Sequence, residues 1–193
     1  MIPPQPIGPA TTPGPDAVLP ARHPAAAAPG TAIPSHYRAC FGCGPEHGTG
    51  LHLEVLAAEG LALTASFEVT EQHQGAPGLA HGGLLAAAMD ETLGALNWLL
   101  MSPAVTARLE TDFVRPVPVG SVLLLDARIT GVQGRKVFTA AVARLGPAGP
   151  VVLRASALFV QVQPGHFREH GRAQEVAHAV ATGDTGPRSD MNP

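Results

Sequence analysis

Between Leu79 and Met101 the chain has one stretch that reads as a long helix and is apolar nearly all round. Leu84, Leu85, Leu93, Leu96, Leu99 and Leu100 fall on too many faces to form a single stripe. Such a helix must be covered on most of its sides. A loop rich in turn residues (Gly75, Pro77, Gly78) leads into it, and Pro103 closes it.

The flanking sequence supplies the cover. Leu51–Val55 and Leu61–Val69 alternate apolar and polar residues around a turn at Gly60. Four more β runs follow the helix: Val105–Val114, Ser121–Thr130, Lys136–Leu145 and Val151–Gln163. Their connectors (Pro116/Pro118/Gly120, Gly131/Gly134 and Gly146/Pro147/Gly149/Pro150) are of hairpin length, so the strands pair mainly antiparallel. An antiparallel sheet of about six strands curled around one long central helix is the α+β hotdog fold. A helix lying on one face of an open sheet is the alternative, but it would leave several of those leucines in water.

At 193 residues and 45% apolar the chain can bury one good core. Residues 1–35 hold ten of its twenty prolines and read as a disordered Pro/Ala-rich tail. Residues 36–164 form the expected hotdog domain, and 165–193 a polar C-terminal tail, partly disordered, with a loose helix over Gln174–Ala181. A net charge of −3 gives no general attraction to nucleic acid or acidic membranes. No apolar run reaches the roughly 20 residues of a membrane span. The N-terminus lacks the basic region and long apolar core of a signal peptide, so the expected location is cytoplasmic.

Chemistry concentrates at the start of the helix, in Leu79-Ala80-His81-Gly82-Gly83 and then Asp90. Without a Cβ, Gly82 and Gly83 let a carbonyl approach the free N–H groups of the first helical turn, where an oxyanion is stabilised. Close helix–sheet packing would also favour glycine there. Asp90 lies among Ala86, Ala87, Ala88, Met89 and Leu93, where a charge is costly unless it faces a polar cleft. Glu91, about 100° away around the helix, is the better candidate for a solvent-facing carboxylate.

Together, His81-Gly82-Gly83 and Asp90, the run Thr106-Ala107-Arg108-Leu109-Glu110-Thr111-Asp112-Phe113-Val114-Arg115-Pro116-Val117-Pro118-Val119-Gly120, Gly134-Arg135-Lys136 and Ala155-Ser156-Ala157-Leu158-Phe159 resemble the PaaI-like hotdog thioesterases. The resemblance is to the acyl-coenzyme A thioesterase branch and covers about residues 40–164, including Cys40-Phe41-Gly42-Cys43-Gly44-Pro45. It implies that Asp90 is general base or nucleophile and that the Gly82 and Gly83 N–H groups polarise the thioester. It assigns Thr106 to positioning water or substrate, where an ordinary strand residue is the alternative. His81 takes an orienting role, and His73 and Gln74 line the pocket. The resemblance further implies that Asp112 and the run Arg135, Lys136, Val137, Phe138, Thr139 and Ala140 line the coenzyme A site, the two cations facing phosphate. Gly75 stands where many relatives carry an asparagine or glutamine, and Val114 where a basic residue is expected.

Gly82 and Asp90 are eight residues apart, about 12 Å along a helix. One carbonyl must sit about 3 Å from both an oxyanion donor and its base. Two antiparallel helices from a symmetric pair meet that demand, so the expected partner is a second copy, as a homodimer or a dimer of dimers. Cys40 and Cys43, with His47 and His52, invite a zinc reading. The absence of a second Cys-x-x-Cys favours reduced structural cysteines, with no metal or cofactor. The expected activity is hydrolysis of a fatty or aryl acyl-coenzyme A. A non-hydrolytic acyl-coenzyme A binder and a hotdog dehydratase are the alternatives.

Overall fold

A computed structural model describes residues 10–163 and 165–182. Strands β1 (Ala32–Ile33), β2 (Glu54–Ala57) and β3 (Ala62–Glu68) precede a small hairpin of β4 (Gln74–Ala76) and β5 (Leu79–Ala80). Helix α1 (Gly82–Ala95) runs into a 3-10 turn over Leu96–Leu99. Strands β6 (Ala104–Phe113), β7 (Val122–Gln133), β8 (Lys136–Leu145) and β9 (Val151–Gln161) follow, and two short helices, α2 (His166–His170) and α3 (Ala173–Thr182), end the described chain.

The main sheet has seven strands in the order β1-β2-β3-β7-β8-β9-β6, all paired antiparallel, one more than expected. It wraps the helix as the hotdog fold requires. Leu85, Ala88, Met89 and Leu93 pack with inward-facing strand residues such as Leu63, Phe67, Leu123, Leu125, Val137 and Leu153 in one core. The 3-10 turn buries Leu96 and Leu99 completely, which accounts for apolar residues beyond the α-helical span. Strand β6 is a sheet edge, and its Phe113 and the adjoining Val114 are exposed.

The expected disordered tail over 1–35 does not hold for residues 10–35. Val18 bridges Val132, the His23 N–H donates to the Leu99 carbonyl, and Thr11 bonds Ser156 and Glu110. Arg22 donates to the carbonyls of Ala27, Ala58 and Gly60. Val137 faces the helix, so its neighbour Phe138 faces the other side of the sheet, yet Phe138 and its strand partner Leu158 are both buried. Pro13 and Ala17 lie so close over Gly131, the residue paired with Phe138, that a Cβ there would crowd both. A proline-rich segment cannot form its own core, but it needs little further ordering to cover another surface. Residues 1–9 and 183–193 lie outside the described residues, so the tail expectations there are not addressed. The loose helix expected over Gln174–Ala181 lies within α3.

The Arg22 contacts lead to a prediction. Arg22→Ala removes three donor contacts that hold this arm, at an expected cost of about 1–3 kcal/mol. Urea unfolding should show a lower midpoint, and limited proteolysis should cut sooner within residues 10–30.

Candidate active site

His81 caps α1: its Nδ1 accepts from the Gly83 N–H at 2.9 Å, and its carbonyl accepts from Leu84 and Leu85. Of the two glycines, the cap engages the Gly83 N–H and leaves the Gly82 N–H outside its hydrogen bonds. An ideal Cβ at Gly82 would stand 3.4 Å from the Phe113 ring, an ordinary contact, so packing does not demand glycine there. Gly75 differs, because a Cβ would lie 2.6 Å from the His81 Cα. Its glycine is explained by the close approach of the two hairpin strands.

About two turns further along α1, Asp90 and Thr106 meet. The Thr106 Oγ1 donates to Asp90 Oδ1 at 2.9 Å. Burial holds the Asp90 carboxyl above its ordinary range, and the Thr106 hydrogen bond only partly counters this. Both residues line a cavity of about 290 Å³. Asn97, Trp98, Phe159 and, from α2, Phe167 also line it. The buried Asn97 Oδ1 lacks a hydrogen-bond partner among the described residues. None of Asn97, Trp98 or Phe167 is foreshadowed in the sequence. The first two fall in the 3-10 turn, and Phe167 reaches the cavity only through the chain reversal after β9.

Other expected site residues separate into two ends of the molecule. Register places Lys136 opposite Val160, itself opposite Val105, so the exposed Arg135 and Lys136 lie at the Thr106 end of the sheet. Arg135 Nη1 donates to the Gln161 carbonyl there. Asp112 lies six residues further along β6, about 20 Å away, next to Phe113 and the start of α1. Gly82 and Gly83 do not line the Asp90 cavity.

Three expectations need correction. Val137 and Thr139 are fully buried and Phe138 nearly so, because β8 is covered on both faces; none of the three presents an exposed side chain to a ligand, unlike the half-buried Ala140. His73 is buried, with its Nδ1 accepting from the Thr70 N–H and its ring edge-on to Phe67, and Gln74 Oε1 accepts from the Gly78 N–H. The buried His73 shapes the loop, whereas Gln74 is exposed beside the start of α1; like Gly82 and Gly83, neither lines the Asp90 cavity of the same chain.

The third correction concerns Glu91 and the cysteines. Glu91 is not a solvent-facing carboxylate: residues 35–44 cover it, and its side chain is 18% exposed. His36, Cys40, Cys43 and Glu91 bring four ligand atoms within 4.8 Å of one another. His47 and His52 stand apart from this group, His47 edge-on to Phe41 and His52 Nδ1 bonded to the Gly44 carbonyl. The hydrogen bond between the thiols holds Cys40 below the ordinary thiol range and pushes Cys43 above it. Burial raises the Glu91 carboxyl.

Residues 77–147, from the loop before α1 to the β8–β9 turn, match the family model of the thioesterase superfamily. Acyl-coenzyme A thioesterase THEM4 of Xenopus laevis is 36% identical over 91 residues, covering 47% of this chain and 41% of that protein. THEM5 of Mus musculus, also named an acyl-coenzyme A thioesterase, is 36% identical over 90 residues, 47% and 36% of the respective chains. This chain therefore spans about two fifths of the length of the curated relatives it matches. Among solved structures, the thioesterase superfamily protein RHA08564 superimposes with a TM-score of 0.59 at 31% identity, covering 64% of this chain and 63% of that one. The Escherichia coli PaaI protein shares the fold, with a TM-score of 0.54 at 17% identity over 58% and 80% of the two chains.

At the start of α1, Gly82→Ala is expected to fold normally and to match or exceed the parent in stability, by up to about 1 kcal/mol. Gly75→Ala forces the hairpin apart and should cost about 1–3 kcal/mol. Thermal unfolding of the two variants beside the parent checks both.

Proposed function

We propose that this chain hydrolyses the thioester of a fatty or aryl acyl-coenzyme A, releasing the free acid and coenzyme A. The observation that carries the proposal is Asp90, held by Thr106 in the wall of a cavity, both residues lying in the stretch 77–147 that matches the thioesterase superfamily model. Arg135 and Lys136, two exposed cations at that end of the sheet, suit the phosphates of the nucleotide. A cavity of about 290 Å³ is at the small end for a ligand site. It suits the thioester and the first carbons of the acyl chain.

In this reading Asp90 acts as general base or as nucleophile. As base, it takes a proton from water while the oxygen attacks the thioester carbonyl. The carbonyl oxygen gains the negative charge and is held by helix-start N–H groups, with Gly82 the donor left outside the cap. Collapse of the tetrahedral species breaks the C–S bond, and the departing thiolate takes back the proton. Thr106 holds the Asp90 carboxylate in position. Gly82 is about 12 Å from Asp90 along α1, so the helix start serving one Asp90 belongs to a second copy. The exposed β6 edge, with Phe113 beside Gly82, supports a homodimer closing on that side. The proposal places the enzyme in the cytoplasm and requires no cofactor for the chemical step.

A thiol-release assay over acyl-coenzyme A substrates from acetyl to palmitoyl, with phenylacetyl included, tests the reading. Turnover is expected with at least one substrate, and Asp90→Asn should lower kcat by about 10²–10⁴ while calorimetry still detects coenzyme A binding. Unchanged turnover in that variant removes Asp90 from the mechanism. Calorimetric binding without turnover across the panel would instead make the chain a non-hydrolytic binder.

A further inference from the structure

About 100° around α1 from Asp90, the four-residue group of His36, Cys40, Cys43 and Glu91 adjoins the same cavity, which His36 and Glu91 also line, and has no part in the chemistry proposed above. We infer that it is a structural zinc site, with Cys40 Sγ, Cys43 Sγ, His36 Nδ1 and one Glu91 carboxylate oxygen as the four ligands. The inference stands independently of the hydrolytic reading.

The geometry of the group is that of a tetrahedron waiting for its centre. Bonds of about 2.0–2.3 Å to sulfur, nitrogen and oxygen place tetrahedral ligands about 3.3–3.8 Å apart. Cys43 Sγ lies 3.3 Å from His36 Nδ1, Cys40 Sγ 3.6 Å from Glu91 Oε2, and His36 Nδ1 3.6 Å from Glu91 Oε1. No pair among the four is separated by more than 4.8 Å. The donor set suits zinc: two thiolates select a borderline-soft ion, while calcium and magnesium want oxygen throughout. Four protein ligands close the coordination sphere, which makes the site structural.

The surrounding backbone is shaped for the same purpose. The Gly42 N–H donates to Cys40 Sγ at 3.3 Å and Ser35 Oγ lies 3.4 Å from Cys43 Sγ, both outer contacts that steady a metal-bound thiolate. A Cβ at Gly42 would overlap the Glu91 carboxylate, and one at Gly44 would overlap the Cys40 backbone. The loop therefore folds tightly enough to bring both sulfurs to one point, and it admits Glu91 only because Gly42 has no side chain. The Leu51 and Leu53 N–H groups donate to the Phe41 and Gly42 carbonyls and tie the loop to the chain leading into β2. An ion at this point cross-links that loop to the residue next to Asp90, pinning the helix where its orientation matters most.

Metal analysis of the full-length chain, purified without a histidine tag, should find about one zinc per chain. Exchange for cobalt should give the intense visible bands of a tetrahedral centre and a thiolate-to-cobalt charge-transfer band. This readout needs no variant to fold. Cys43→Ser and His36→Gln should each weaken or abolish the stoichiometric metal, and Glu91→Gln should change the cobalt spectrum. His170→Ala, in the exposed histidines of α2, should leave both unchanged. A cobalt spectrum without thiolate charge transfer overturns the site. Metal retained in full by Cys43→Ser, or a Cys40–Cys43 disulfide in the purified protein, does the same.

Discussion

Helix α1 and its 3-10 extension bury Leu85, Met89, Leu93, Leu96 and Leu99 against the inner face of the curled sheet, each at 4% exposure or less. Burying side chains of this size stabilises by about 1.5–3 kcal/mol each. Nothing else in the chain offers an apolar surface so nearly continuous around its axis. The sheet must curl to meet it, and its order follows, with β6 left as an edge beside the helix. Two consecutive carboxylates sit in this buried element. Asp90 escapes the apolar core by facing the cavity and Thr106, and Glu91 by facing the loop of residues 35–44. Neither would be tolerated there without a polar partner.

That arrangement divides the labour of one helix among its faces. In the proposed mechanism the start of α1 supplies the Gly82 N–H left outside the His81 cap and Asp90 supplies a base or nucleophile, while Glu91 packs against the N-terminal loop. The C-terminal chain closes the far wall of the cavity through Phe167, and the arm of residues 10–35 closes the outer face of the sheet. Segments outside the matched residues 77–147 thus bear on both the cavity and the helix that carries its carboxylate.

Much of this was legible in the sequence because it depends on local pattern. Strand β8 begins and ends at Lys136 and Leu145 as the alternation and turn residues indicate, and the all-round apolar helix required a wrapping sheet. Helix capping by His81 follows from its position before two glycines. What escaped notice depends on distant contacts. A proline-rich arm reads as disordered when judged by its own apolar content, yet it packs over Gly131 on the sheet face that carries the buried Phe138 and Leu158, which alternation alone would leave in water. Of the β8 residues assigned to a ligand, Phe138 lies on the face the arm covers, while Val137 and Thr139 face the helix-side core. Glu91 does point away from Asp90, as 100° per residue demands, but what it faces is a loop fifty residues earlier. His36, far outside the Cys-x-x-Cys spacing, could be joined to Glu91 only by the fold itself.

The central claim is that one catalytic centre draws Asp90 from one subunit and the helix start from another. Subunit exchange between two inactive variants tests it most directly. Asp90→Asn lacks the base, and Gly82→Pro lacks the N–H donor while keeping a residue suited to the first helical turn. Mixed under conditions that allow exchange, the two should form heterodimers with one intact centre, and thioesterase activity should rise above that of either variant alone. If exchange is complete and the mixture stays inactive, the donors and Asp90 act within a single chain and the two-subunit account is wrong.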